Sequence, residues 1–148
     1  MSSVRNRVAV LHGVNLDALD RRPAEVYGGL SFTELEFRIE HFARELELDV
    51  RFFQSNHEGE YVEELHRARD FADALLLNPG AWTHYAWSLR DALEVSGLPA
   101  VEVHLSAVEE REPFRRVSVF EGVTLGKVSG KGVDGYRDAL ALLRERLA

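Results

Sequence analysis

Along most of this 148-residue chain, short apolar runs alternate with longer stretches in which apolar residues recur every three or four positions. The short runs are typical of buried β-strands, whereas the longer spacing is typical of amphipathic helices. The predicted strands are residues 8–13, 49–54, 72–78, 99–104 and, in a glycine-punctuated segment, approximately 125–130.

The helical stretches lie between and after these strands. In residues 31–48 the apolar stripe is preceded by Ser31 and Glu34, which have the spacing of a capping box. Further helices are predicted around Tyr61 and Leu65, over 84–95 and over 132–147. Strand–helix alternation indicates a parallel sheet with right-handed crossovers and helices on both faces. Five strands in this length predict a flavodoxin-like, doubly wound α/β fold, with residues 1–148 forming a single domain.

Polar side chains end four of the predicted strands. They are His12 and Asn15, then Gln54, Ser55 and Asn56, then Asn78, and finally His104 with Ser106. Each residue alone is explained by a helix cap or a turn. In open parallel sheets, however, ligands bind outside the carboxyl ends of the strands. Their convergence on this edge therefore predicts a ligand site.

Two groups near this edge suggest acid–base chemistry. Tyr27 follows two arginines in the loop after the first strand, and a phenol becomes a usable base only beside cations that favour its ionised form. Glu102 and His104 are two apart on a strand and point the same way, so the carboxylate favours an imidazolium acid. The alternatives are a Tyr27 that packs its loop onto the core and a purely structural His104.

The residue types and motifs that the chain lacks exclude several kinds of active site. The chain has no cysteine, which excludes disulfides, thiol nucleophiles and thiolate metal sites. A metal site is a weaker alternative, because no two histidines share a short ligand spacing on one element. Its ligands would be His12, His84, His104 and Asp91. Walker, dinucleotide-binding and nucleophile-elbow sequences are absent. The site that remains is acid–base, with neither metal nor cofactor.

Charge and hydropathy indicate which partners and which cellular location to expect. The net charge of -7 offers no basic face for nucleic acid. The arginines at 111, 115 and 116 alternate with glutamates, so they are either a solvated loop or an anion subsite. No window approaches a membrane span, and the N-terminal apolar stretch is too short for a signal peptide. A cytoplasmic protein with a small-molecule substrate is expected.

The motifs together resemble the type II 3-dehydroquinate dehydratases. The resemblance runs through almost the whole chain, with matching spacings between blocks. The matching blocks are "HGVNL", Arg22 five residues before "YG", "QSNHEGE", "NPGAWTH" with an Asp seven residues after its His, "EVHLS", "REPFRR" and a late Gly-x-x-Gly-Tyr. The resemblance implies a flavodoxin-like, cofactor-free enzyme, assembled as a dodecamer of trimers. Its reaction converts 3-dehydroquinate to 3-dehydroshikimate by anti elimination of water through an enolate.

Carried over by position, the resemblance implies a role for each matching residue. Tyr27 would abstract the C2 proton, with Arg22 keeping it ionised and stabilising the transition state. His104, oriented by Glu102, would protonate the departing C1 hydroxyl. Asn15 would hold the water that stabilises the enolate, and Arg111 would help to keep the tyrosine ionised. The ring hydroxyls would be bound by Asn78, His84, Asp91 and Arg115, with Asp91 serving the neighbouring subunit. Leu105 and Ser106 would take the carboxylate.

Three departures from the family pattern surround these residues. His12 and Val14 replace the Asn and Pro of the first motif, and Ala107 replaces an Asn after His-x-Ser. In the third, "HYAWSL" differs from the family's usual His-Thr-Ser-Val-Ala, and its aromatic residues Tyr85 and Trp87 are expected at or near the pocket wall. Two alternatives therefore stand beside the dehydratase. One is a lyase for a different cyclic polyhydroxy carboxylate, and the other is a non-catalytic flavodoxin-like module that binds a flavin or another small ligand.

Overall fold

The computed structural model describes residues 4–148 and contains a five-stranded sheet in which every pairing is parallel. Its strands are β1 (Arg7–His12), β2 (Asp49–Gln54), β3 (Ala74–Asn78), β4 (Ala100–Val103) and β5 (Lys127–Val128). Their order across the sheet is β2-β1-β3-β4-β5, which is the flavodoxin-like order. The predicted fold class is confirmed.

Helices cover both faces of this sheet. They are α1 (Ala24–Tyr27), α2 (Phe32–Glu45), α3 (Glu58–Arg67), α4 (Trp87–Ser96) and α5 (Asp134–Leu147). Short 3-10 segments occupy Leu16–Arg21, Ala68–Asp70, Gly80–His84, Val108–Glu110 and Pro113–Arg116. Helix α2 packs beside α5, and α3 packs beside α4. Within residues 4–148, none of the helices combines the length and apolar character needed to cross a membrane.

Strand β3 is buried along its whole length and separates two apolar layers. Leu76 packs with Ile39 and Leu140 on the side of α2 and α5. Leu75 and Leu77 point the other way, into the layer formed with α3 and α4. Because successive strand side chains alternate between faces, this unbroken apolar run supplies both layers.

Two predicted boundaries differ from the structure. Helix α4 begins at Trp87 rather than at residue 84, because residues 80–84 form a 3-10 turn that starts at Gly80 with φ +64°. Strand β5 is only two residues long, since Gly130 adopts φ +77° and leaves the extended conformation soon after Val128. The first difference places His84 in the turn at the edge of the sheet instead of inside α4.

The register brings the polar strand ends together. His12 lies opposite Gln54 on one side and Asn78 on the other, and His104 directly follows β4. The carboxyl ends of the three central strands therefore share one edge, as the sequence predicts.

Candidate active site

A cavity of about 180 Å³ opens at this edge. Ten of the twelve predicted site residues line it, namely Asn15, Arg22, Tyr27, Asn78, His84, His104, Leu105, Ser106, Arg111 and Arg115. Glu102 lies behind His104 and reaches the cavity only through it. Asp91 is exposed on α4 and does not line this cavity.

Tyr27 stands between two guanidinium groups. It ends α1, directly before Gly28 at φ +83°, and only 9% of its surface is exposed. Arg111 Nη1 donates to the Tyr27 hydroxyl at 3.0 Å and lies 3.3 Å from the Ser106 hydroxyl. The guanidinium carbon of Arg22 lies 4.0 Å from the centre of the Tyr27 ring. One cation thus contacts the hydroxyl oxygen and the other the ring face.

His104 and Glu102 form a buried pair. His104 Nε2 lies 2.6 Å from Glu102 Oε2, and the two residues are 4% and 1% exposed. Burial raises the pKa of Glu102, but hydrogen bonds from His104, Ser118 and Thr83 outweigh it and leave the pKa below the ordinary 4.5. Glu102 is therefore a carboxylate at neutral pH and can only accept hydrogen bonds.

One ring nitrogen of His84 contacts the protein backbone, and the other is available to a ligand. Its Nδ1 lies 2.7 Å from the Val117 carbonyl, which can only accept, so Nδ1 carries a hydrogen. Burial lowers the pKa of His84 despite this hydrogen bond, so the ring is neutral at pH 7. Its Nε2 is then an acceptor, suited to a ligand hydroxyl. The ring stacks on that of His104 with centroids 6.5 Å apart.

Asn78 is held by both ends of its amide. Its Nδ2 donates to the Tyr136 hydroxyl at 2.8 Å, and its Oδ1 accepts from Gly80 N–H at 3.2 Å. Tyr136 is fully buried, and burial raises its pKa well above the ordinary 10, so its hydroxyl stays protonated. The late Gly-x-x-Gly-Tyr motif therefore orients a residue of the pocket.

The first loop is shaped by the motif that follows β2. Asn15 adopts φ 68°, and its N–H donates to Asn56 Oδ1 at 2.8 Å. Gln54 Nε2 donates to the Gly13 carbonyl and to Asn56 Oδ1, both at 3.2 Å. Asn56 donates in turn to the Asp17 carboxylate. These amides, which the sequence places at the rim, hold the loop that carries Asn15.

Two glycines bring the loops after β1 and β3 into contact at the pocket. Gly13 N–H donates to the Asn78 carbonyl at 2.7 Å. A Cβ on Gly13 would lie 2.4 Å from the Pro79 carbonyl oxygen, and one on Gly80 would lie 2.7 Å from that of Val14. Both contacts are backbone, so neither position has room for a side chain. Nothing in the sequence pattern indicates this packing.

The loop after β4 supplies donors for an anion. Arg111 and Arg115 line the cavity and Arg116 does not, so the arginine cluster is divided. Arg115 Nε donates to Glu112 at 2.6 Å. Leu105 and Ser106 are buried, and within residues 4–148 neither backbone N–H donates to an acceptor.

The residues that depart from the family pattern lie in different environments. Val14 lines the cavity. His12 is fully buried behind it, with Nε2 3.3 Å from Glu36 Oε2 but outside hydrogen-bonding geometry. Burial lowers the pKa of His12, and the contact with Glu36 opposes this only partly. Tyr85 and Trp87 are 60% and 61% exposed and do not themselves line the cavity, although Tyr85 directly follows the lining residue His84.

The four histidine and aspartate residues of the metal alternative do not gather into one cluster. Among residues 4–148, no group of three or more His, Cys, Asp or Glu side chains has a metal-binding arrangement. His12 instead packs against the rings of Phe32 and Phe52.

Comparison with known proteins shows which family this chain resembles. The family model described as dehydroquinase class II matches residues 6–144. A 3-dehydroquinate dehydratase from Thermotoga petrophila is 47% identical over 141 residues, covering 95% of this chain and 96% of that protein. A protein of the same name from Bacillus licheniformis is 42% identical over 134 residues, covering 90% and 92%.

Solved structures of type II dehydroquinases resemble this chain as well. The type II dehydroquinase of Butyrivibrio crossotus has a TM-score of 0.90 and 37% identity, covering 95% of this chain and 99% of that one. That of Propionibacterium acnes has a TM-score of 0.88 and 36% identity, covering 97% and 99%. A 3-dehydroquinate dehydratase-like protein from Bifidobacterium longum is less similar, with a TM-score of 0.67 and 30% identity over 97% and 98%.

Proposed function

Because this chain belongs to the class II dehydroquinase family, it is a hydro-lyase, and we propose that it converts 3-dehydroquinate to 3-dehydroshikimate by anti elimination of water. The observation that carries the proposal is one cavity lined by both a tyrosine hydroxyl on a guanidinium and an imidazole on a buried carboxylate. The tyrosine can act as the base and the imidazole as the acid of one elimination, and this chemistry calls for neither a metal nor a cofactor.

In the first step, ionised Tyr27 takes the C2 proton of the substrate. The electron pair of that C–H bond moves toward the C3 carbonyl and gives an enolate. Arg111 and Arg22 stabilise the phenolate before transfer, and Asn15 positions a water toward the enolate oxygen. The geometry that supports this step is the 3.0 Å contact of Arg111 with the Tyr27 hydroxyl.

In the second step, the enolate collapses to form the C1–C2 double bond. The C1 hydroxyl departs with a proton from His104 and leaves as water. Tyr27 then holds one proton and His104 lacks one, so exchange with solvent resets both groups. The Glu102 carboxylate supports this step because it favours the protonated imidazole.

Substrate binding uses the remaining donors and acceptors of the cavity. The ring hydroxyls are assigned to Asn78, His84 and Arg115. The carboxylate is assigned to the free N–H groups of Leu105 and Ser106. These assignments agree with an acceptor nitrogen on His84 and unengaged backbone donors after β4.

Asp91 is exposed and does not line the cavity of its own chain, whereas the family resemblance gives it a substrate-binding role. We assign Asp91 to the pocket of a neighbouring copy within a trimer-based dodecamer. Light scattering of the purified protein tests the assembly. In a mixture of inactive Asp91→Ala and Tyr27→Phe chains, recovery of activity is expected only if Asp91 acts in the neighbour's pocket.

Activity is tested by following the conjugated enone product in the ultraviolet. The wild type should turn over 3-dehydroquinate. Tyr27→Phe and His104→Ala should each lower kcat by about 10²–10⁴-fold, which is the usual contribution of general acid–base catalysis. Tyr85→Phe removes an exposed hydroxyl and serves as the control. Full activity in both pocket variants would rule out these roles.

A different cyclic polyhydroxy carboxylate is a second candidate substrate, because Val14 lines the cavity where the family pattern has proline. Competition between 3-dehydroquinate and such compounds, measured as kcat/KM, decides between them. Val14→Pro should shift the ratio toward 3-dehydroquinate if this position sets specificity.

A further inference from the structure

The carboxylate of Glu102 is bound by hydroxyl groups from two separate segments. The Thr83 hydroxyl donates to Oε2 at 2.8 Å, and the Ser118 hydroxyl donates to Oε1 at 2.7 Å. His104 Nε2 lies 2.6 Å from Oε2. Because Glu102 is almost completely buried, these donors replace the water that an exposed carboxylate would bind.

The two segments that carry the hydroxyls are joined to each other. Val119 N–H donates to the Thr83 carbonyl at 2.8 Å, and His84 Nδ1 lies 2.7 Å from the Val117 carbonyl. Arg90 of α4 donates to the Val119 carbonyl at 2.7 Å. These contacts hold the two segments that carry the hydroxyls against each other.

We propose that Thr83 and Ser118 are positioning residues that fix the Glu102 carboxylate and, through it, the orientation and tautomer of His104. An ionised carboxylate has no hydrogen to donate, so His104 Nε2 must carry the hydrogen of their bond. Nδ1 is then the nitrogen that faces the substrate, and the acid form of His104 is the ring that carries a second proton there, which passes to the departing hydroxyl. The inference rests on the proposed function, which makes His104 the acid.

The same hydroxyls maintain the charge of the carboxylate. Both hydrogen bonds lower the pKa of Glu102 against the opposing effect of burial. Loss of either one therefore raises that pKa, and Glu102 becomes protonated at a higher pH. A protonated Glu102 no longer favours the Nε2–H form of His104, so activity is lost earlier as the pH falls.

Other titratable and charged groups also face this pair. His84 stacks on His104, and Tyr61 of α3 lies near Glu102. Lys127 of β5 is opposite Glu102 in the sheet. A cavity of about 320 Å³ behind Glu102 is lined further by Arg116 and Glu121. All five remain unchanged in the variants below, so a shift in the pH profile is assigned to the missing hydroxyl.

The test measures kcat and KM against pH for Thr83→Val and Ser118→Ala. Each should lower kcat about 10- to 100-fold, as expected for a lost hydrogen bond to a charged group, and change KM much less. The acidic limb of the profile should move to higher pH. Thr83→Ser and Ser118→Thr keep the hydroxyl and should restore both kcat and the limb.

Thr124→Val is the matched control. Thr124 lines the same rear cavity, but its hydroxyl donates to the Gly126 carbonyl rather than to Glu102. It should leave kcat and the pH profile unchanged. Ser118 also accepts the Phe120 N–H at 3.1 Å, so if Ser118→Ala does not fold, Thr83→Val carries the test alone.

Nitrogen NMR of the His104 ring gives a readout independent of turnover. Wild-type protein should show a hydrogen on Nε2 in both the neutral and the doubly protonated ring, and the two hydroxyl-deleted variants should lose this fixed position in the neutral ring. If the wild type is inactive toward 3-dehydroquinate, the proposed function fails, and the NMR result alone decides the positioning role. An unchanged tautomer with an unchanged acidic limb in Thr83→Val would overturn the proposal.

Discussion

Replacing Tyr136 by Phe should weaken both folding and substrate binding, because this hydroxyl orients Asn78. Tyr136 is fully buried and Asn78 is only 5% exposed, so water cannot easily replace the 2.8 Å bond between them. An unpaired buried amide costs about 1–3 kcal/mol of unfolding free energy. A looser Asn78 loses part of one hydrogen bond to the substrate, so KM should rise about two- to tenfold.

Tyr61→Phe provides the matched comparison. Tyr61 is equally buried, and its hydroxyl donates at 2.8 Å to the Leu11 carbonyl instead of to a pocket side chain. Urea unfolding at one protein concentration should show a similar loss of stability in both variants. Steady-state kinetics should show the rise in KM only for Tyr136→Phe. Equal KM values in the two variants would refute the role assigned to the Asn78–Tyr136 bond.

The remaining predictions concern charge. Arg111→Gln should lower kcat about 10- to 100-fold, because the hydrogen bond from this cation to the Tyr27 hydroxyl is lost; an unchanged kcat would contradict this. Between pH 7 and 5, His12→Asn should lose less stability in thermal melts than wild type, with exposed His41→Asn as control. The unfolded chain protonates this histidine near pH 6.5, whereas burial lowers its pKa in the fold, so wild-type stability decreases as the pH falls. Asp73→Asn should flatten the loss of stability below about pH 4 in urea titrations. The hydrogen bond from Arg7 lowers the Asp73 pKa, so its contribution is present above 3.8 and lost as pH falls.

The sheet order and the convergence of polar strand ends were predictable because they follow from strand periodicity and parallel connections. Asn78 and His104 lie at the ends of adjacent apolar runs, so the fold alone brings them to one edge. The pairing of Glu102 with His104 follows from their spacing of two on a strand. These features depend on local pattern and fold topology.

Other contacts depend on loop geometry that no periodic pattern encodes. Ser118 lies in an irregular segment with no apolar stripe, so its bond to Glu102 carries no sequence signal. The division of contacts between Arg22 and Arg111 depends on how two separate loops meet over Tyr27. Helix α4 begins only at Trp87, after a 3-10 turn that the apolar pattern does not indicate, and Trp87 is exposed.

Dehydration of 3-dehydroquinate that carries deuterium at one C2 position tests the central proposal most directly. Mass spectrometry of the product reports both whether water is eliminated and which C2 hydrogen leaves. The proposed roles of Tyr27 and His104 predict 3-dehydroshikimate that has lost the deuterium anti to the C1 hydroxyl and has kept the one syn to it. Absence of product, or loss of the syn deuterium, would contradict the proposed elimination.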